Sequence, residues 1–224
     1  MKVKPIFLPW RQVVVSDEPC FTGAFYEHEN MIKLSTQKWP LNGVFLDIGA
    51  HQGIYSTFLQ LLAGVEGFVY AFEPHPENLS LLAMNVVPLE GRAPVAIMPF
   101  ALGRADGTGQ MGCWRDHMAA SGVHQLITGD IPEYLLPVKI KCLDSIKFPR
   151  IDFIKMDVEH WEWEVFCGGL QTILEHRPKI LVEIHGEKTN KQITSLCDVY
   201  KFSYEDWEAT IPAINQINRF LFIT

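Results

Sequence analysis

The segment Val44–Phe58, VFLDIGAHQGIYSTF, constrains the fold more than any other stretch of the chain. A short apolar run, Val44-Phe45-Leu46, ends in Asp47-Ile48-Gly49. From Gly53 onward Tyr55, Phe58, Leu59 and Leu62 recur on one helical face. This pattern predicts a buried strand, a glycine turn and a helix. Glycines let backbone approach a ligand closely, and a helix start presents free N–H groups, so the turn suits a phosphate or a cofactor.

The spacing narrows the ligand. Asp47-x-Gly49-x-x-x-Gly53 has His51 where the dinucleotide fingerprint G-x-G-x-x-G has its middle glycine, and no Lys-Ser/Thr ending follows as in a P-loop. An acid just before the first glycine repels a pyrophosphate and welcomes an ammonium group. The next apolar run, Phe68–Phe72, ends at Glu73, where a carboxylate can accept both hydroxyls of a ribose. One acid for an ammonium and one for a ribose together suggest S-adenosylmethionine. The cofactor-binding set expected on this reading is Asp47, Gly49, Ala50, Gly53, Tyr55, Glu73 and Pro74.

Strands alternate with helices along the chain. Val95–Met98 is predicted as a third strand, followed by Pro99-Phe100-Ala101, where an adenine can pack on Phe100 or Ala101. Residues 104–145 are glycine-rich and read as an antiparallel excursion, with short strands at Gly109–Trp114, Val123–Leu126 and Val138–Cys142. Ile151–Met156 and Lys179–Ile184 are the fourth and fifth strands, with a helix between them to about Glu175. Thr189–Val199 is a further helix and Ile217–Ile223 a last strand. The expected class is α/β, a Rossmann-like, doubly wound, mainly parallel sheet with a β-rich insertion. Residues 1–42 read as an N-terminal strand and helix cap, with Val13–Val15 a strand and Ala24–Lys38 a helix; residues 43–224 form the main domain.

Ligands of such sheets bind at the carboxyl ends of the strands. Asp47-Gly49, Glu73, Asp157 and His185 all fall there, and Asp157 belongs with the cofactor as well as with the chemistry. Lys155, a charge inside an apolar strand, requires an edge or a partner. Glu162 heads the apolar helical stripe Phe166, Gly169, Leu170, Ile173, where the helix N-terminus favours a carboxylate; Glu159-x-x-Glu162 equally resembles a capping arrangement.

The runs FLDIGAHQGIYS, AFEPHPEN, FALG, DFIKMDVEHWEWEVFCGG and PKILVEIHG, in this order over residues 43 to 186, resemble the FkbM family of S-adenosylmethionine-dependent methyltransferases. The resemblance implies O-methylation of a hydroxyl on a sugar, glycolipid or polyketide-like acceptor. The family usually has asparagine where His51 stands and glycine where His160 stands. A side chain replacing that glycine places an imidazole beside the methyl-transfer site, either supplying a base or blocking the acceptor.

The reaction expected is in-line displacement, with Asp157, Glu159, His160, Glu162 and His185 as the catalytic group and His160 or His185 as base. A divalent metal on Asp157 with Glu183 or His185 is a less favoured alternative. So are a binding module without turnover and, third, a nicotinamide oxidoreductase.

Composition excludes other classes. A net charge of −7 on 224 residues argues against general nucleic-acid affinity. The five cysteines are scattered and form no C-x-x-C pair, as expected for reduced thiols in the cytoplasm. No apolar run approaches the ~20 residues of a membrane span, and prolines at positions 5 and 9 spoil a signal peptide.

Overall fold

The computed structural model describes residues 3–9, 11–16, 28–87, 90–113, 134–211 and 216–224. The chain opens with an antiparallel hairpin, β1 (Val3–Leu8) and β2 (Arg11–Ser16), and a helix, α1 (His28–Ser35). The glycine-turn segment follows as β3 (Val44–Ile48) and α2 (Ile54–Ala63). Next come β4 (Phe68–Phe72), α3 (Pro76–Asn85) and β5 (Val95–Met98). A separate three-stranded sheet is built from β6 (Ala101–Gly103), β7 (Gly107–Cys113) and β8 (Tyr134–Cys142). The chain then returns as β9 (Phe153–Met156), α4 (Glu162–Gly168), α5 (Leu170–His176) and β10 (Lys179–Glu183). It ends with α6 (Glu187–Tyr200), β11 (Tyr204–Ile211) and β12 (Gln216–Ile223).

The main sheet has seven strands in the order β11-β12-β10-β9-β3-β4-β5. Neighbours from β10 to β5 are parallel, while β12 runs antiparallel to both β10 and β11. From β3 the chain steps outward through β4 and β5, then restarts on the other side at β9. The order therefore reverses between β3 and β9, where a crevice opens at the carboxyl ends.

Alternation along the central strands explains their burial on both faces. Phe45 packs in one cluster with Phe58, Leu59, Phe153 and Leu181. Its neighbour Leu46 joins Phe72, Ile154, Phe166 and Val182 in the other.

Several elements differ from the sequence reading. Trp207 of β11 stacks on Phe222 at 4.3 Å, with Lys33 4.9 Å from its ring, so a charge-rich segment becomes an edge strand. The predicted helix after β9 is two helices broken at Gly169, where an added Cβ would lie 2.8 Å from Leu143. Gly168, just before the break, brings α4 against β6: a Cβ there would sit 1.9 Å from the Gly103 carbonyl oxygen. Strand β10 ends at Glu183, one residue earlier than expected. The strand expected at Val123–Leu126 lies outside the described residues.

Candidate active site

The turn after β3 is held by backbone. The N–H groups of Gly49 and Ala50 both donate to the Phe72 carbonyl of β4, at 3.0 and 2.9 Å, and Gly53 N–H closes the loop onto Ala50 at 2.8 Å. Gly49 (φ 78°) and Gly53 (φ 88°) adopt left-handed conformations, which glycine adopts without steric cost. At Gly49 a Cβ would fall 1.7 Å from the Asp157 carbonyl oxygen, so the loop after β9 rests directly on this residue.

Glu73 faces this turn from the end of β4. One carboxylate oxygen accepts the His51 N–H at 2.9 Å. The other accepts the His75 N–H at 2.8 Å, with the Asn78 amide at 3.4 Å. The oxygen facing His51 keeps a lone pair for a further donor, and the other takes a second donor where the long Asn78 contact gives way, as two ribose hydroxyls require. Burial pushes the carboxyl up to about 7, against the backbone donors from His75 and His51. Phe100 lies beside it, its ring edge-on to Phe72 at 5.7 Å, and Ala101 opens β6. Pro74 leads from Glu73 into His75, whose side chain caps α3 at Glu77 N–H.

Asp47 has no accessible surface. The direct contact expected between its carboxylate and an ammonium group finds no open face, because β3 is central and Asp47 lies one residue inside the strand end. Instead it accepts the Ser56 hydroxyl at 2.5 Å and lies 4.0 Å from Lys155 Nζ. Burial raises its pKa, opposed by Lys155 and Ser56. Tyr55 is also buried, its ring under Lys155 at 4.9 Å. Lys155 meets the partner requirement read from the sequence: β9 is interior, and the ammonium lies 3.4 Å from Asp157 and 3.5 Å from the Gly49 carbonyl.

The second half of the site lies beyond β9 and β10. Glu162, fully buried at the start of α4, accepts the His160 N–H at 3.0 Å and the His185 Nδ1–H at 2.8 Å through the same oxygen. The capping arrangement anticipated for Glu159-x-x-Glu162 is not formed, since α4 begins at Glu162 behind Trp161 with no side-chain cap, and Glu162 instead holds the His160 N–H ahead of the helix. His185 Nε2 faces Glu183 at 3.4 Å and Glu159 at 3.5 Å. Burial opposes charge on this ring, yet Glu162, Glu183, Asp157 and Glu159 outweigh it and push His185 up to about 12. Carboxylates at both nitrogens favour the protonated ring, so of the two histidines expected as base His160 is the better placed to accept a proton. Burial likewise opposes charge on Asp157, but Lys155 and His185 outweigh it and lower its pKa.

His160 is placed differently. Its Nδ1 lies 2.6 Å from the His185 carbonyl, an acceptor only, so Nδ1 carries a hydrogen and Nε2 is the ring nitrogen left to accept one. Glu159 (φ 50°) and His160 (φ 73°) are both left-handed, which accounts for glycine as the usual residue at position 160. Sequence reasoning missed Ser56 and Asn78, whose partners are 9 and 5 residues away; only the helical spacing onto the acid-bearing strand ends hinted at them.

The sequence matches the Methyltransferase FkbM domain over residues 47–221. It is 27% identical over 181 residues to the hexuronic acid methyltransferase AglP of Haloferax volcanii, covering 79% of this chain and 70% of that protein. A solved FkbM methyltransferase from Methylobacillus flagellatus aligns over 93% of this chain and 48% of its own, so the present chain spans about half its length, at 16% identity and a TM-score of 0.59. An rRNA methylase from Streptococcus thermophilus aligns over 89% of this chain and 96% of its own, at 12% identity and a TM-score of 0.53. At these identities the solved structures speak to the fold, which is the Rossmann-like methyltransferase fold.

Proposed function

Because the chain belongs to the FkbM methyltransferase family, we propose that it uses S-adenosylmethionine to methylate an oxygen of a sugar-type acceptor, a hexuronic acid first among them. The observation that carries the cofactor is Glu73, whose two oxygens each hold one backbone N–H and can take the ribose diol, one on its remaining lone pair and the other in place of the long Asn78 contact. Gly49, Ala50 and Gly53 form the close-approach turn beside it, and Phe100 and Ala101 flank the base. Asp47 supports the turn from beneath through Ser56.

When bound, the cofactor supplies an electrophilic methyl on sulfonium sulfur; a new O–CH₃ bond forms as the S–CH₃ bond breaks. The chain's part is to align the acceptor and take its proton. His160 Nε2 is the proton acceptor, its tautomer fixed by the His185 carbonyl and its backbone by Glu162. His185, held positive, attracts an anionic or hydroxyl-rich acceptor to the end of β10. AglP is by name a hexuronic acid methyltransferase, and such an acceptor brings both a carboxylate and hydroxyls to this charge. The test is incubation with labelled S-adenosylmethionine and a panel of hexuronic acids, neutral sugars, glycolipids and polyketides. Label transfer to a uronic acid in preference to its neutral sugar is expected. Binding of the cofactor without label transfer to any sugar-type acceptor overturns the reading.

A further inference from the structure

The acids around His185 are arranged for more than methyl transfer. The His185 Nδ1–Glu162 contact, at 2.8 Å, is a normal hydrogen bond. The two carboxylate contacts of Nε2, at 3.4 and 3.5 Å, are longer than good hydrogen bonds. One ligand atom each from Asp157, Glu183 and His185 lies within 4.8 Å of the others. Ligand atoms on opposite sides of one ion at ~2.1 Å stand about 4.2 Å apart, so this trio closes on an ion with a shift below ~1 Å.

Two further observations point the same way. Glu162 is fully buried and aimed at His185, and its second oxygen has no hydrogen-bond partner; Asp157 Oδ1 is likewise buried and unpartnered. A buried carboxylate bonded to one imidazole nitrogen is also the usual support for a histidine whose other nitrogen ligates a metal.

We propose that Asp157, Glu183 and His185 Nε2 form a divalent-cation site, with Glu159 at its exposed rim and Glu162 as the positioning residue behind His185. The mixed oxygen and nitrogen ligands suit a first-row ion such as Mn²⁺. The ion takes the place of the Nε2 proton and leaves its remaining positions for two neighbouring acceptor oxygens, such as a vicinal diol or the carboxylate and hydroxyl of a uronic acid. This acceptor role rests on the methyl-transfer reading, whereas binding of the ion does not.

The test is titration of EDTA-treated, desalted protein with MnCl₂, following free Mn²⁺ by electron paramagnetic resonance. One Mn²⁺ per chain is expected. Asp157→Asn with Glu183→Gln should abolish binding, and Glu162→Gln should weaken it about 10- to 100-fold, each variant being confirmed folded by circular dichroism. No Mn²⁺ uptake by the wild-type chain, or equal uptake by the folded double variant, overturns the proposal. Calorimetry of S-adenosylmethionine on the same protein in EDTA separates the two readings. Cofactor binding without Mn²⁺ binding refutes the ion alone, and Mn²⁺ binding without cofactor binding refutes the methyl-transfer reading alone.

Discussion

Replacing Glu73 by glutamine changes one oxygen of a buried carboxylate into an NH₂ group, in a place where both oxygens are committed. One faces the His51 N–H at 2.9 Å, the other the His75 N–H at 2.8 Å. Either orientation of the amide sets donor against donor, and only one acceptor oxygen remains for the ribose. Loss of one charge-assisted hydrogen bond is worth roughly 1.5–3 kcal/mol, so S-adenosylmethionine should bind roughly 10- to 150-fold more weakly. The pH dependence gives a second signature. The folded carboxyl titrates near 7 against an ordinary 4.5. A raised folded value means its stabilising contribution is complete below about 4.5 and is lost as pH rises through about 7, a change on the order of 3 kcal/mol. The wild-type chain should therefore lose stability relative to Glu73→Gln over that interval. Cofactor binding moves oppositely: the ionised form accepts from both hydroxyls, so wild-type affinity should rise with pH through 7 while the variant stays flat. Isothermal calorimetry and urea melts at pH 5.5 and 8 measure both. A variant that binds within threefold of wild type at pH 8, with the same pH slope, would refute the assignment of Glu73 to the ribose.

Three further substitutions probe the loops after β3 and β9. His160→Ala and His160→Gly both remove the imidazole, and single-turnover methylation should slow by roughly 10²–10⁴ in each. Glycine accepts the left-handed backbone of that position (φ 73°) and alanine does not, so the glycine variant should be more stable by about 1 kcal/mol. Unchanged single-turnover rates in both would remove His160 from the chemistry. Gly49→Ala should cost at least ~3 kcal/mol, measured by thermal melting, since its Cβ would overlap the Asp157 carbonyl at 1.7 Å. A melting point within a few degrees of wild type would show that the two loops do not meet there.

Four of the five parallel strands were legible as apolar runs that end near an acid or a glycine, at Asp47-Ile48-Gly49, Glu73, Asp157 and Gly186, while Val95–Met98 runs into Pro99-Phe100. Burial on both faces requires such runs, so the pattern and the topology say the same thing. β11 was not legible. Tyr204, Glu205, Asp206 and Glu208 are exposed, and the strand is defined by Trp207 meeting Phe222, a contact the local sequence does not encode. In the site, the positions of Glu73, Asp157 and Glu162 followed from strand ends and helical phase. What His185 does with its protons did not, because that depends on Glu162 and Glu159, 23 and 26 residues away in sequence. Asp47 fell between: its place on the strand was readable, its enclosure by Ser56 and Lys155 was not.

The joint at Gly49 has a consequence for how such a chain can diversify. The loop after β3 and the loop after β9 meet main chain to main chain, without a side chain to cushion them, and Asp157 N–H is bonded to the Ile48 carbonyl at 3.0 Å. Lengthening or tilting the second loop to admit a bulkier acceptor would drag the proposed nucleoside seat along with it. On the proposed reading, novelty in substrate choice is thereby channelled into single side chains past the joint, such as the imidazole at position 160, and away from changes in loop length.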